Sequence, residues 1–68
     1  YPEAEPLGRA AEAYRRVAEA LGDAVSLLPY PGEGLAERRG EVAACLERAL
    51  AAETQGIEAI ERAQRALR

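Results

Sequence analysis

The sequence contains no histidine, lysine, asparagine, methionine, phenylalanine or tryptophan, and its only cysteine is Cys45. Without histidine, neither a Ser-His-Asp or Cys-His nucleophile set nor a Cys/His zinc site can be assembled. A single cysteine excludes an internal disulfide, and no glycine-rich phosphate loop follows a strand-like segment. We therefore expect no catalytic residue, no cofactor and no metal ion, and we interpret the chain as a non-enzyme in which Cys45 is a small buried residue.

Charge of one sign is never concentrated in this chain. Nine arginines and twelve acidic residues alternate along it and give a net charge of −3, whereas nucleic-acid binding needs a basic stripe. The longest apolar run is the five residues from Val42 to Leu46, too short to span a bilayer. No signal-peptide pattern is visible at Tyr1, and a lone cysteine suits a reducing compartment. We expect no nucleic-acid binding, no membrane insertion and a cytoplasmic location.

What is abundant is strong helix formers: sixteen alanines, eleven glutamates, nine arginines and eight leucines in 68 residues. The only cluster of helix breakers with helix-like sequence on both sides is residues 29–34, which contains two prolines and two glycines. Gly34 is a candidate N-cap, with Glu37 bonding back to it. The sequence predicts one small all-α domain, an antiparallel, coiled-coil-like helical hairpin with helices at 6–28 and 35–67 joined by a loop at 29–34.

A sevenfold period of large apolar residues predicts which helix faces meet. Leu7, Tyr14, Leu21 and Leu28 recur every seven residues, with small apolar residues between them. The second helix shows a similar spacing of three and four. We predict that the shared core consists of Tyr14, Val17, Leu21, Leu28, Val42, Leu46 and Leu50.

The second helix is predicted to be longer than the first. At about 1.5 Å per residue an unbroken second helix overshoots its partner by roughly ten residues and leaves Ile57, Ile60 and Leu67 in water. Alternatively, a break at residues 53–56, near Gly56, gives a third short helix that folds back into a three-helix bundle. The unbroken helix is slightly favoured, because no proline enforces a break.

The available surfaces point to protein–protein interaction. Exposed contiguous apolar surface usually marks an interaction site, so we expect an interaction or oligomerisation module that engages a partner helix or a second copy. The alternatives are a monomeric three-helix adaptor with a groove for a partner helix, and a structural fragment of a larger helical protein. The candidate partner-binding residues are Leu50, Glu53, Ile57, Ile60 and Leu67 on the overhang, and Arg38 and Arg39.

Two local features have a structural and a functional interpretation. Arg38 and Arg39 lie in the first turn of the second helix, where the helix dipole disfavours positive charge, so they are candidates for contacting an acidic partner. Neighbouring glutamates that neutralise them provide the structural alternative. Tyr30, between two prolines, either presents its ring to a partner or folds over the end of the hairpin, which is the favoured interpretation.

Overall fold

The protein is a two-helix hairpin in a computed structural model that describes residues 1–28, 34 and 36–68, with only the backbone of Glu37 included. Helix α1 spans Ala4–Ser26, a 3₁₀ turn spans Ala36–Arg38, and helix α2 spans Arg39–Ala66. Arg16 of α1 pairs with Gln55 of α2, and Asp23 of α1 pairs with Arg48 of α2. The second pair lies later in α1 and earlier in α2 than the first, so the helices are antiparallel. The predicted all-α hairpin is confirmed. Residues 29–33, which include Tyr30, as well as Leu35 and the Glu37 side chain lie outside the described residues. Helix α2 begins at Arg39, with Arg38 and not Gly34 at its N-cap, four residues later than predicted.

Helix α1 begins two residues earlier and ends two residues earlier than the sequence predicts. The backbone N–H of Leu7 donates to the carbonyl of Glu3 at 3.0 Å, so Pro6 lies inside the first turn. A proline is tolerated there because first-turn N–H groups have no intrahelical acceptor. At the other end, Leu27 and Leu28 donate to carbonyls three residues back, at 3.2 and 3.1 Å. The last turn therefore tightens just before Pro29, which disfavours helical geometry at the residue preceding it.

Helix α2 runs through residues 53–56 without interruption, so the break that would create a three-helix bundle is not found. Thr54 does not cap a new helix there, because its hydroxyl donates to the carbonyl of Leu50 one turn earlier, at 3.0 Å. Gly56 is buried against the other helix. A glycine without a neighbouring proline weakens a helix by about 1 kcal/mol, which packing against α1 is able to offset.

The helices meet along small residues, and the predicted core is correct only at Val17 and Val42, which are half-buried. Tyr14, Leu21, Leu28, Leu46 and Leu50 are all exposed. The buried seam instead follows a strict alternating spacing of three and four residues in both helices, so that its residues occupy positions a and d of a heptad. Its residues are Ala10, Ala13, Ala20 and Ala24 in α1 and Cys45, Ala49, Ala52, Gly56, Ala59 and Ala63 in α2, with Val17, Leu27, Val42 and Ala66 half-buried.

The overhang is also absent. Pro2, Glu5 and Pro6 line one cleft together with Arg62 and Ala66, so the start of α1 lies beside the end of α2. The two helices contain 23 and 28 residues, closer in length than predicted because α2 starts only at Arg39. Ile57, Ile60 and Leu67 are nevertheless exposed, because they point sideways from the hairpin.

Candidate functional site

A second apolar row follows the seam along each helix. When Ala10 in α1 and Ala49 in α2 are each taken as heptad position a, positions e and b of both helices are apolar from Ala4 to Leu67 except at Arg39, Glu53 and Gln64. The ten large residues in these rows are between 39% and 68% exposed, and we call them the apolar face. They are Leu7, Tyr14, Leu21, Val25 and Leu28 on or just after α1, and Leu46, Leu50, Ile57, Ile60 and Leu67 on or just after α2.

Both helices contribute to the same side of the hairpin. Leu21 of α1 lines one groove with Leu46 and Leu50 of α2, and Ala49 and Val17 form its floor. Near the middle of the hairpin the ring of Tyr14 lies over the backbone of Gly56. Positions e of antiparallel helices lie on one side of the seam, which explains why the two rows merge into one surface.

The opposite side of the hairpin is polar. The guanidinium of Arg16 donates to the amide oxygen of Gln55 at 2.9 Å, and Arg48 donates to the carboxylate of Asp23 at 3.0 Å. Around them, Arg9, Glu12, Glu58 and Arg62 line a cleft between the helices. The hairpin is therefore amphipathic across its width, with one polar and one apolar side.

Among the residues that the structure describes, the side chains with shifted pKa values lie on this polar, solvated side. A hydrogen bond from Arg15 lowers the pKa of the Glu12 carboxyl below its ordinary 4.5. Arg48 donates to the sulfur of Cys45 at 3.2 Å and to Asp23, and both contacts raise the pKa of its guanidinium. These shifts stabilise charged forms at neutral pH and do not prepare a group for proton transfer.

Five of the predicted partner-binding residues lie on or beside the apolar face. Leu50, Ile57, Ile60 and Leu67 belong to it. Glu53 lines the same groove as Leu21 and is exposed. The sequence predicted that these residues share one surface at an overhanging end of α2. In the structure they share a surface along one side of the hairpin, to which both helices contribute.

Arg38 and Arg39, both predicted to contact a partner, have different surroundings in the structure. The guanidinium of Arg38 donates to the backbone carbonyl of Leu27 at 3.1 Å, at the end of α1, where carbonyls lack intrahelical donors. Arg38 therefore has a structural contact that ties α2 to α1. Arg39 is exposed at an e position, where it continues the row of the apolar face at the loop end.

Sequence reasoning assigned part of this face to the seam between the helices. Leu7, Tyr14, Leu21 and Leu28 were placed there by their sevenfold recurrence, and Leu46 and Leu50 by a similar spacing in the second helix. The signal that identifies the true seam is the uninterrupted row of small residues at a and d, from Ala10 to Ala24 and from Cys45 to Ala66. The row at position e is interrupted by Glu53, and an exposed row tolerates such a charged residue.

Within residues 1–28, 34 and 36–68, no group of three or more His, Cys, Asp or Glu side chains is placed to hold a metal ion. In the same part of the chain, neither helix combines the length and apolar character needed to cross a membrane. The sequence matches no protein-family model, and no curated protein and no solved structure matches it.

Proposed function

We propose that this chain is a non-catalytic protein-association module whose apolar face packs against another apolar helical surface. One observation supports this function above all: ten large apolar side chains lie exposed on a single side of the hairpin. Scattered exposed leucines are ordinary, but a contiguous apolar surface on a small protein marks an interaction site.

The energetics of burial point the same way. Burying a methyl-sized group contributes about 0.8 kcal/mol, whereas fully burying a Leu or Ile side chain contributes about 1.5–3 kcal/mol. The seam of this hairpin is filled mainly by alanine, whereas the leucines and isoleucines of the apolar face are still 39% to 68% exposed. Covering the apolar face with another surface therefore adds a large further contribution from apolar burial.

Charge substitution on the two sides of α2 tests this function. Replacing Ile57 and Ile60 by Glu places two charges on the apolar face, whereas Ala51→Glu adds a charge on the polar side as a matched control. We expect the wild type either to self-associate or, as a monomer, to bind the apolar dye anilinonaphthalene sulfonate. The double variant should lose both properties and Ala51→Glu neither. A wild type that neither associates nor binds the dye contradicts the function.

A further inference from the structure

From its geometry we infer that the surface covering the apolar face is a second copy of this chain, so that two hairpins form a four-helix bundle. This inference rests on the proposed association function and names its partner. Its basis is the area left exposed, the angle between the two apolar rows, and the position of the one charged residue near the middle of the face.

The exposed area matches one half of a stable dimer interface. A folded monomer of this mass, 7.3 kDa, is expected to expose about 4,200 Å², and the hairpin exposes 5093 Å². The excess of roughly 900 Å² is close to the 800 Å² or so that each partner buries in a standard interface. The radius of gyration of 16.0 Å also exceeds the value of about 11 Å expected for a compact chain of this length.

The angle between seam and apolar face distinguishes a two-helix partner from a single helix. With 3.5 residues per turn, the e and b positions are centred about 100° from the a and d positions. In a square four-helix bundle each helix has neighbours about 90° apart, whereas in a three-helix bundle they are about 60° apart. The apolar face therefore points out of the plane of the hairpin, toward a second two-helix layer. A single helix in the groove would leave the b residues Val25, Leu50 and Ile57 uncovered.

Glu53 and Tyr14 suit a two-fold arrangement. The midpoint of Ala4–Ser26 falls at residue 15 and that of Arg39–Ala66 between residues 52 and 53, so each of the two lies within one residue of its helix's centre. When two copies pack face to face about a two-fold axis parallel to the helices, α1 of each copy lies on α2 of the other and the helix centres meet. The hydroxyl of Tyr14 then approaches Glu53 of the partner subunit and provides the donor that a buried carboxylate requires. Such a central polar pair fixes register at a cost in affinity.

Sedimentation equilibrium of the wild type, Glu53→Leu and Tyr14→Phe tests this arrangement. We expect a wild-type species of twice the 7.3 kDa chain mass. Glu53→Leu should tighten the dimer about tenfold or more, because it removes a charge from the interface centre, and Tyr14→Phe should weaken it by leaving the carboxylate without its donor.

Each other result overturns the inference. A helical monomer at every concentration that binds anilinonaphthalene sulfonate rules out the second copy and leaves the proposed function standing with a foreign partner. A helical monomer that binds no dye rules out both. A trimer contradicts the four-helix bundle directly. A dimer that Glu53→Leu weakens also contradicts it, because Glu53 then does not lie at the centre of an apolar interface.

Discussion

The phenol ring of Tyr14 occupies the space where a side chain at Gly56 would begin. A Cβ built on Gly56 lies 2.7 Å from Cε2 of Tyr14 and 3.0 Å from Cδ2, distances that real Cβ atoms do not tolerate without movement. This contact connects the buried seam, to which Gly56 belongs, with the apolar face, to which Tyr14 belongs. The absence of a side chain at Gly56 thus allows the ring to pack closely against α2.

We predict that Gly56→Ala destabilises the hairpin despite the better helix propensity of alanine. Alanine contributes about 1 kcal/mol through propensity, but displacing a packed ring costs about 1–3 kcal/mol, so the expected net loss is about 1 kcal/mol. Urea unfolding at a fixed protein concentration measures the change. In a Tyr14→Ala background the same substitution should become stabilising, since the obstructing ring is gone.

Gly22 provides the matched control for this experiment. It is an exposed helical glycine in α1, and nothing lies within 4 Å of a Cβ added there. Gly22→Ala should therefore stabilise the protein by about 1 kcal/mol. If Gly56→Ala and Gly22→Ala stabilise equally in the wild-type background, the contact between Tyr14 and Gly56 does not constrain α2.

Adjacent alanines of α2 should respond oppositely to enlargement. Ala52 is 6% exposed in the seam and Ala51 is exposed beside it. Ala52→Leu should lower the free energy of unfolding by about 1–3 kcal/mol, because a larger residue separates closely packed backbones. Ala51→Leu should change it by less than about 0.5 kcal/mol. Thermal unfolding of the two variants distinguishes this alanine seam from a leucine seam, in which Ala52→Leu would be neutral or stabilising.

The choice of seam is the part of the fold that the sequence alone did not determine. Helicity followed from the composition, and the hairpin from the prolines that flank Tyr30. However, both apolar rows have the same sevenfold period, so periodicity in one helix cannot decide which row faces the other helix. The residues Tyr14 and Leu21 are more hydrophobic than Ala13 and Ala20, yet the small residues form the seam because they permit close backbone approach.

The candidate site was predictable only in part, because the sequence did not determine which apolar row faces the other helix. Ile57, Ile60 and Leu67 were expected to be exposed, and they are, whereas Leu50 was assigned to the shared core and is exposed as well. The expected cause, an overhang, depended on helix ends, and pairing across the hairpin shifts those ends by several residues. Arg38 could not be assigned from sequence, because its contact with the carbonyl of Leu27 exists only after the hairpin closes.

Cys45 should be protected from thiol reagents in the folded protein. Its side chain is 6% exposed in the seam, and its sulfur accepts a hydrogen bond from Arg48. We expect its reaction with dithiobis-nitrobenzoate to require opening of the hairpin and to accelerate strongly in denaturant.

A cysteine moved by one position provides the comparison. Ala44 is exposed, so Ala44→Cys combined with Cys45→Ala should react rapidly without denaturant. Equal reaction rates for the two proteins under native conditions would show that the seam is not closed at Cys45.

The interaction between Glu12 and Arg15 should make a small, pH-dependent contribution to stability. Because the hydrogen bond lowers the pKa of Glu12 in the folded state, its contribution is present above the ordinary value of 4.5 and disappears as pH falls through the lowered pKa. The stability difference between the wild type and Glu12→Gln should therefore be small at neutral pH and vanish in acid. High salt should also reduce it, since both groups are solvated. A difference that grows in acid would contradict this sign.

The dependence of thermal unfolding on protein concentration tests most directly whether another copy of the chain covers the apolar face. Because a dimer unfolds to two chains, the wild-type midpoint should rise steadily across about a hundredfold range of concentration, as followed by circular dichroism. Ile57→Glu combined with Ile60→Glu should abolish that dependence, and Ala51→Glu should preserve it. A wild-type midpoint that stays constant over the whole range would show that no second copy covers this face.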